Sequence, residues 1–246
     1  MNGVGNAAPH LIVVASHRGG SMKSTISALV AAKLATRKLK TIVVDASLGG
    51  GVFSLADDTQ VERPNAPSGL SVREDKNTPL TCVHAPALLA DRGGLDRLLH
   101  WAVERDPSYV ILDLPEVTIE ELRLVTANAA VLLVTLPSEG LSLRSLLPFL
   151  RDVQGLRALP GRKFHTILIP TGSGLRTPHG VALDKFIQEN LSTLVTAGAL
   201  PWDDEMNAAV SAGKWPKSSA QASHSNITLI VERLIALTDS EVAIAT

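Results

Sequence analysis

The chain has 246 residues, 45% of them hydrophobic, and 23 basic residues against 24 acidic ones leave a formal charge of −1. That length can enclose one large core, so one domain over residues 1–246 is expected, and the near-zero charge excludes a global pull toward nucleic acid or an anionic membrane. A single cysteine, Cys82, excludes an internal disulfide framework and any iron–sulfur cluster needing several thiolates, and fits a reducing cytoplasm.

In chain order, MNGVGNAAPH has no basic region leading into a long apolar run, so export is not expected, and residues 1–10 are expected to be flexible. Strands rich in β-branched residues are predicted at Leu11–Ala15, Thr41–Val44, Leu80–Val83, Tyr109–Leu112, Ala130–Thr135 and Thr166–Ile169, with a weaker one near Leu194–Ala197. Between them, helical periodicity predicts helices at Thr25–Arg37, Leu95–Val103, Ile119–Asn128, Leu141–Val153, Val181–Asn190, Glu205–Ala212 and Asn226–Leu237. Glycines, prolines and charges break any period from Gly49 to Pro79, which predicts a surface excursion, and Pro170 to Pro178 forms a second loop around Arg176. Strands alternating with helices predict an α/β fold: three layers, doubly wound, around a mostly parallel sheet of about seven or eight strands. No stretch approaches the roughly 18 apolar residues of a membrane span, so a soluble, cytoplasmic protein is expected.

The strongest chemical signal is LIVVASHRGGSMKSTISALV, an apolar strand, a Gly-Gly turn, and Lys23-Ser24-Thr25 opening a helix. A phosphate cradle needs this context. Gly19 and Gly20 let backbone N–H groups approach an oxyanion, the helix N-terminus adds positive partial charge, Lys23 reaches terminal phosphates, and Ser24 can ligate magnesium. The plain alternative is a strand–turn–helix with a fortuitous lysine. Asp45 closes TIVVD and Asp113 closes YVILD; taken alone, each can be the polar end of a buried strand that caps the next turn.

The turn resembles the deviant Walker A motif of the ParA/MinD family, usually KGGVGKST. Aligned on Lys23, Arg18 stands for the family's signature lysine, Gly19 and Gly20 match, Ser21 takes the variable place, Lys23, Ser24 and Thr25 match, and Met22 replaces a glycine. The DASLGGG segment resembles the family's second motif, DxD, keeping Asp45 but placing Ser47 at the second carboxylate. YVILDLPE resembles the Walker B strand ending in D-x-P, with Leu114-Pro115 beginning a switch segment, and ALPWDDEMNAAVSAGKWP resembles the segment that closes over adenine. The likeness runs from Leu11 to about Leu237.

That resemblance implies a P-loop NTPase of the SIMIBI type with ATP and Mg2+ as cofactors. It implies catalytic roles for Arg18, Lys23 and Asp45; nucleotide contacts by Arg18, Gly19, Gly20, Ser21, Met22, Lys23, Ser24, Thr25, Pro201, Trp202 and Asp203; and a metal held by Ser24, Asp45 and Asp113. Trp202 serves equally well as a cover on the core edge. A switch that forms a homodimer on binding ATP and works with a cargo adaptor in plasmid or DNA partition follows, with weak turnover because of Met22 and Ser47. The alternatives are a non-hydrolysing scaffold, or a positioning ATPase for a pilus, secretion or polysaccharide machine. Lys214, Lys217, Arg151, Arg157, Arg162 and Lys163 form either a patch for non-specific DNA or solvated helix ends. The Asn226–Leu237 helix carries only Arg233 as a base, so a packed helix is expected there and no membrane anchor.

Overall fold

Apolar strands that alternate with helices build most of the molecule from βα units around a parallel sheet. The computed structural model describes residues 8–55, 60–62, 68–91, 93–137, 142–172, 178–190, 194–201, 204–212, 214–215 and 221–244. Within these the strands are β1 (His10–Ala15), β2 (Thr41–Asp45), β3 (Gln60–Glu62), β4 (Ser71–Asp75), β5 (Leu80–His84), β6 (Tyr109–Asp113), β7 (Ala129–Pro137), β8 (His165–Gly172), β9 (Val195–Thr196) and β10 (Leu200–Pro201). The helices are α1 (Lys23–Thr36), α2 (Gly94–Val103), α3 (Ile119–Val125), α4 (Ser142–Arg157), α5 (Pro178–Asn190), α6 (Asp204–Ser211) and α7 (Gln221–Ile244).

The described strands form one sheet in the order β10-β8-β7-β1-β6-β2-β5-β4-β3, with β9 also on the outer side of β8. The β9 and β10 pieces pair with successive parts of β8 and are separated by Gly198, at φ 82°. All pairings from β10 to β5 are parallel, whereas β3 and β4 are antiparallel. These two strands lie inside the segment predicted as an irregular excursion. In SVRED only Val72 is buried, and Arg73, Glu74 and Asp75 are half-exposed, so this charged strand, between β5 and the edge strand β3, has no apolar run to reveal it. The helices fall where periodicity places them, with ends shifted by a few residues in α3, α4 and α5 and with α7 extending beyond both of its predicted bounds.

Alternation along the strands divides the core in two. Leu11, Val13, Ile42, Val44, Val110, Leu112, Leu132 and Val134 face one side, against Leu98 and Trp101 of α2, Leu122 of α3, Leu150 of α4 and Leu183 of α5. Ile12, Val14, Val43, Ile111, Val131 and Leu133 face the other, against Ile26 and Leu34 of α1 and Ile230 and Leu234 of α7. The doubly wound three-layer α/β prediction therefore holds. Among the described residues no helix is long and apolar enough to cross a membrane.

A buried polar contact ties α7 to the sheet. The Thr238 hydroxyl donates to the Leu234 carbonyl at 3.1 Å and so accepts from the Tyr109 hydroxyl, also at 3.1 Å. Replacing Tyr109 by Phe removes one neutral hydrogen bond and leaves Thr238 satisfied, so urea unfolding should show a loss of about 1 kcal/mol.

Candidate functional site

The site is assembled where four parallel strands end side by side. Register aligns Val14 of β1 with Asp113 of β6, Asp113 with Asp45 of β2, and Asp45 with His84 of β5. Both carboxylates are 1% exposed. Residues 16–22 turn from β1 into α1 over this edge, the usual ligand position in an open parallel sheet.

Within the turn, Lys23 is buried and its Nζ donates to Ser16 Oγ at 3.1 Å and more weakly to the Arg18 carbonyl at 3.5 Å. Ser16 in turn donates its hydroxyl hydrogen to the same carbonyl. The ammonium is thus folded back onto the loop, ready to exchange these neutral acceptors for a stronger anionic one. Burial pulls the Lys23 pKa down, while the Asp113 and Glu116 carboxylates pull it up. Arg18, Gly19 and Gly20 are exposed, and no described acceptor meets the Gly19 or Gly20 amide. The Ser21 hydroxyl is buried without a partner, as are both ring nitrogens of His17, which lies 6.1 Å from the Phe149 ring. Burial, then the Arg18 charge, lowers the His17 pKa, so the ring favours its neutral form.

Met22, which stands where the family motif has a glycine, adopts a glycine-like backbone all the same. Its φ of 62° and ψ of 21° are left-handed, and it is the residue preceding α1. Its half-buried side chain packs against the core layer that holds Ile26, which offsets a conformational cost of about 1–2 kcal/mol. The motif thus keeps its geometry without its glycine.

On the metal side, Asp113 Oδ1 accepts from Ser27 Oγ at 3.0 Å, and the carboxylate also accepts from Ser24. Burial, reinforced by the nearby Asp45 charge and opposed by these hydroxyls and Lys23, pushes Asp113 up to about 7. Asp45 is caged by its own loop: Oδ1 accepts from the Ser47 amide at 2.9 Å and the Ser47 hydroxyl at 2.6 Å, and Oδ2 from the Phe53 amide at 2.9 Å. Ser47 Oγ then accepts from the Gly51 amide at 3.1 Å. No described group of three or more His, Cys, Asp or Glu residues forms a metal cage by itself. Two buried carboxylates beside one hydroxyl instead suit a hard divalent cation that takes its remaining ligands from water and phosphate.

The structure therefore gathers Arg18 to Thr25, Asp45 and Asp113 at one place. Pro201 stands at the same edge, paired with Gly172 at the end of β8; Trp202 and Asp203 lie outside the described residues. Arg157 ends α4, and Arg162 and Lys163 lie between it and the start of β8, at the opposite edge of the sheet; Trp215 is buried. Sequence reasoning missed Ser16, Ser27 and Glu116. Glu116 is exposed, with Oε2 3.9 Å from where a Cβ on Gly19 would stand. Only its place after Leu114-Pro115 could have drawn notice to it. A capping box of Thr118 and Glu121 then fixes the start of α3 and so ends the segment that carries Glu116.

The chain belongs to the CobQ/CobB/MinD/ParA nucleotide-binding domain family, whose model matches residues 12–216. In fold it is similar to an ATP complex of a McdA variant from Cyanothece, at 18% identity and TM-score 0.72 over 93% of this chain and 97% of that one. A putative plasmid partition protein of Borrelia burgdorferi B31 bound to AMPPNP has 15% identity and TM-score 0.67 over 92% of this chain and 99% of that one. Cobyrinic acid a,c-diamide synthase of Mycobacterium smegmatis with ADP and magnesium has 21% identity and TM-score 0.61 over 83% and 91%. No curated protein matches the chain in sequence. At these identities the structural likeness speaks to fold, and the family match bears out the ParA/MinD-type P-loop resemblance drawn from the motifs.

Two outcomes follow for the protein without nucleotide. At most helix positions Ala is more stable than Gly, but at Met22 both substitutions lose the same packing and only Gly relieves the left-handed backbone; Met22→Gly should be about 1 kcal/mol more stable than Met22→Ala in urea unfolding. For Asp113 the folded pKa of about 7 lies above the unfolded value of 3.8. Ionisation therefore opposes folding, and stability from this group is present below pH 3.8, falls as pH rises through the interval to about 7, and is then level. Denaturant titrations should show Asp113→Asn lacking this loss, and gaining on the parent by of order a few kcal/mol at pH 8.

Proposed function

We propose that the protein is a cytoplasmic ParA-like switch that binds ATP with magnesium, pairs with a second copy when nucleotide is bound, and hydrolyses it slowly. The observation that carries this is the ammonium of Lys23, buried behind open Gly19 and Gly20 amides and directly beside the Ser24–Asp113–Asp45 group. Lys23 and Arg18 would hold phosphate oxygens, the α1 N-terminus would favour the same charge, and Pro201 with Trp202 and Asp203 would border the base. When bound, magnesium would neutralise phosphate charge, with Ser24 as direct ligand and the two aspartates orienting its water. Asp45 is poised for that task because three donors fix its orientation.

Partition of plasmid or other DNA, through a DNA-binding adaptor, is the use we favour; siting a pilus, secretion or polysaccharide machine is the neighbouring reading. A second reading, a nucleotide-holding scaffold that does not turn over, is favoured by Ser47, whose hydroxyl is spent on Asp45 where the family motif has a second carboxylate.

Calorimetry and steady-state ATPase assays with and without DNA and adaptor separate these. Mg-ATP binding with turnover stimulated by partners is the expected result; binding without turnover selects the scaffold. Lys23→Ala should weaken ATP binding at least about tenfold, or ~1.4 kcal/mol. Equal affinity in parent and variant would remove the phosphate-binding reading.

A further inference from the structure

The segment Ser47–Phe53 contains Gly49, Gly50 and Gly51, which give it much conformational entropy to lose on ordering. Yet it must hold still, because it supplies every described donor to Asp45. Its anchors come from outside the phosphate loop. His84, which ends β5 in register with Asp45, is 2.9 Å through Nε2 from the Ser47 carbonyl. A carbonyl oxygen only accepts, so Nε2 carries the proton. The His84 ring also stacks on Phe53, with centroids 5.4 Å apart and planes at 21°. Arg73 of β4 lies 4.3 Å over the Phe53 ring and donates from Nη1 to the Phe53 carbonyl at 3.0 Å. Gly50, at φ 65°, packs against the His84 ring closely enough that an added Cβ would lie 3.7 Å from Nε2. Both ends of the segment and its middle are therefore pinned from β4 and β5.

The pinned segment bears directly on a metal-side group. Gly51 sits so close to the phosphate loop that a Cβ there would fall 2.8 Å from Ser24 Oγ. We propose that His84, Phe53 and Arg73 are positioning residues: their stack clamps Ser47–Phe53 over Ser24 and thereby sets the orientation of Asp45 and Ser47 toward the metal side of the phosphate pocket. The clamp deepens the nucleotide reading and relies on it for its effect on turnover, but its effect on the segment does not need nucleotide.

The test uses the full-length chain and three variants. His84→Phe keeps an aromatic ring for the stack and loses the donor; His84→Gln restores an N–H near the Ser47 carbonyl; Arg73→Lys keeps charge and loses the planar fork. Hydrogen exchange without nucleotide follows the Gly51 and Phe53 amides. They should exchange about tenfold or more faster in His84→Phe and stay near parent in His84→Gln, while amides of β1 and β6 are unmoved. With Mg-ATP, His84→Phe should lower kcat about tenfold, leaving KM for ATP within about threefold, and His84→Gln should recover most of it. Arg73→Lys should fall between parent and His84→Phe. Unchanged Gly51 and Phe53 exchange in His84→Phe overturns the clamp, whatever happens to turnover, and so does equal behaviour of the Phe and Gln variants. If the parent shows no ATPase activity yet these amides respond to Phe and not to Gln, the clamp stands and hydrolysis is what fails.

Discussion

Two carboxylates and one ammonium share a few buried positions at the carboxyl edge of the sheet, and the surrounding structure exists on the terms they set. Burying an ion costs several kcal/mol unless partners or a pKa shift compensate. The protein compensates incompletely and by different means at each group. Lys23 falls back on a hydroxyl and a carbonyl. Asp45 gathers three donors from its own loop. Asp113 receives two serine hydroxyls and is still raised to about 7. A divalent cation and a polyanion would satisfy all three at once, and an imbalance of this kind marks a binding site more than a stabilising ion-pair network does.

The same imbalance explains why the phosphate loop tolerates its odd sequence. A glycine before the helix would let the backbone turn freely, whereas Met22 turns at a cost and recovers part of it by packing on the second core layer. The left-handed backbone that the motif's glycine would supply is kept. Arg18 is exposed and keeps a guanidinium where the family has its signature lysine, so it retains charge but presents a planar fork in place of a point charge.

The strands and most helices were legible because burial on both sheet faces demands continuous apolar runs, as in LIVVA and YVILD. The phosphate loop was legible because its glycines, lysine and hydroxyl are close together in sequence. Other parts were hidden for physical reasons. β4, next to the edge strand β3, buries Val72 alone. Ser27 reaches Asp113 across 86 positions, and His84 reaches Ser47 across 37, so neither pairing leaves a local pattern. The strain at Met22 could be expected from the missing glycine, but not the packing that offsets it.

Ser47 ties the incomplete compensation to turnover. Its hydroxyl has one hydrogen, and that hydrogen is directed to Asp45, while the Gly51 amide occupies one of its lone pairs. A water beside it can only donate to the remaining lone pair, so Ser47 can orient a nucleophile but cannot take a proton from it. Proton acceptance would then fall to Asp45, to phosphate oxygens of the nucleotide, or to the exposed Glu116 carboxylate beside Gly19. Asp45 is the least free of these, because both its oxygens already serve the loop. On the proposed reading, a site built this way would favour a long-lived bound state, since the residues proposed to hold phosphate and metal are all in place while the group that would end the state is weak.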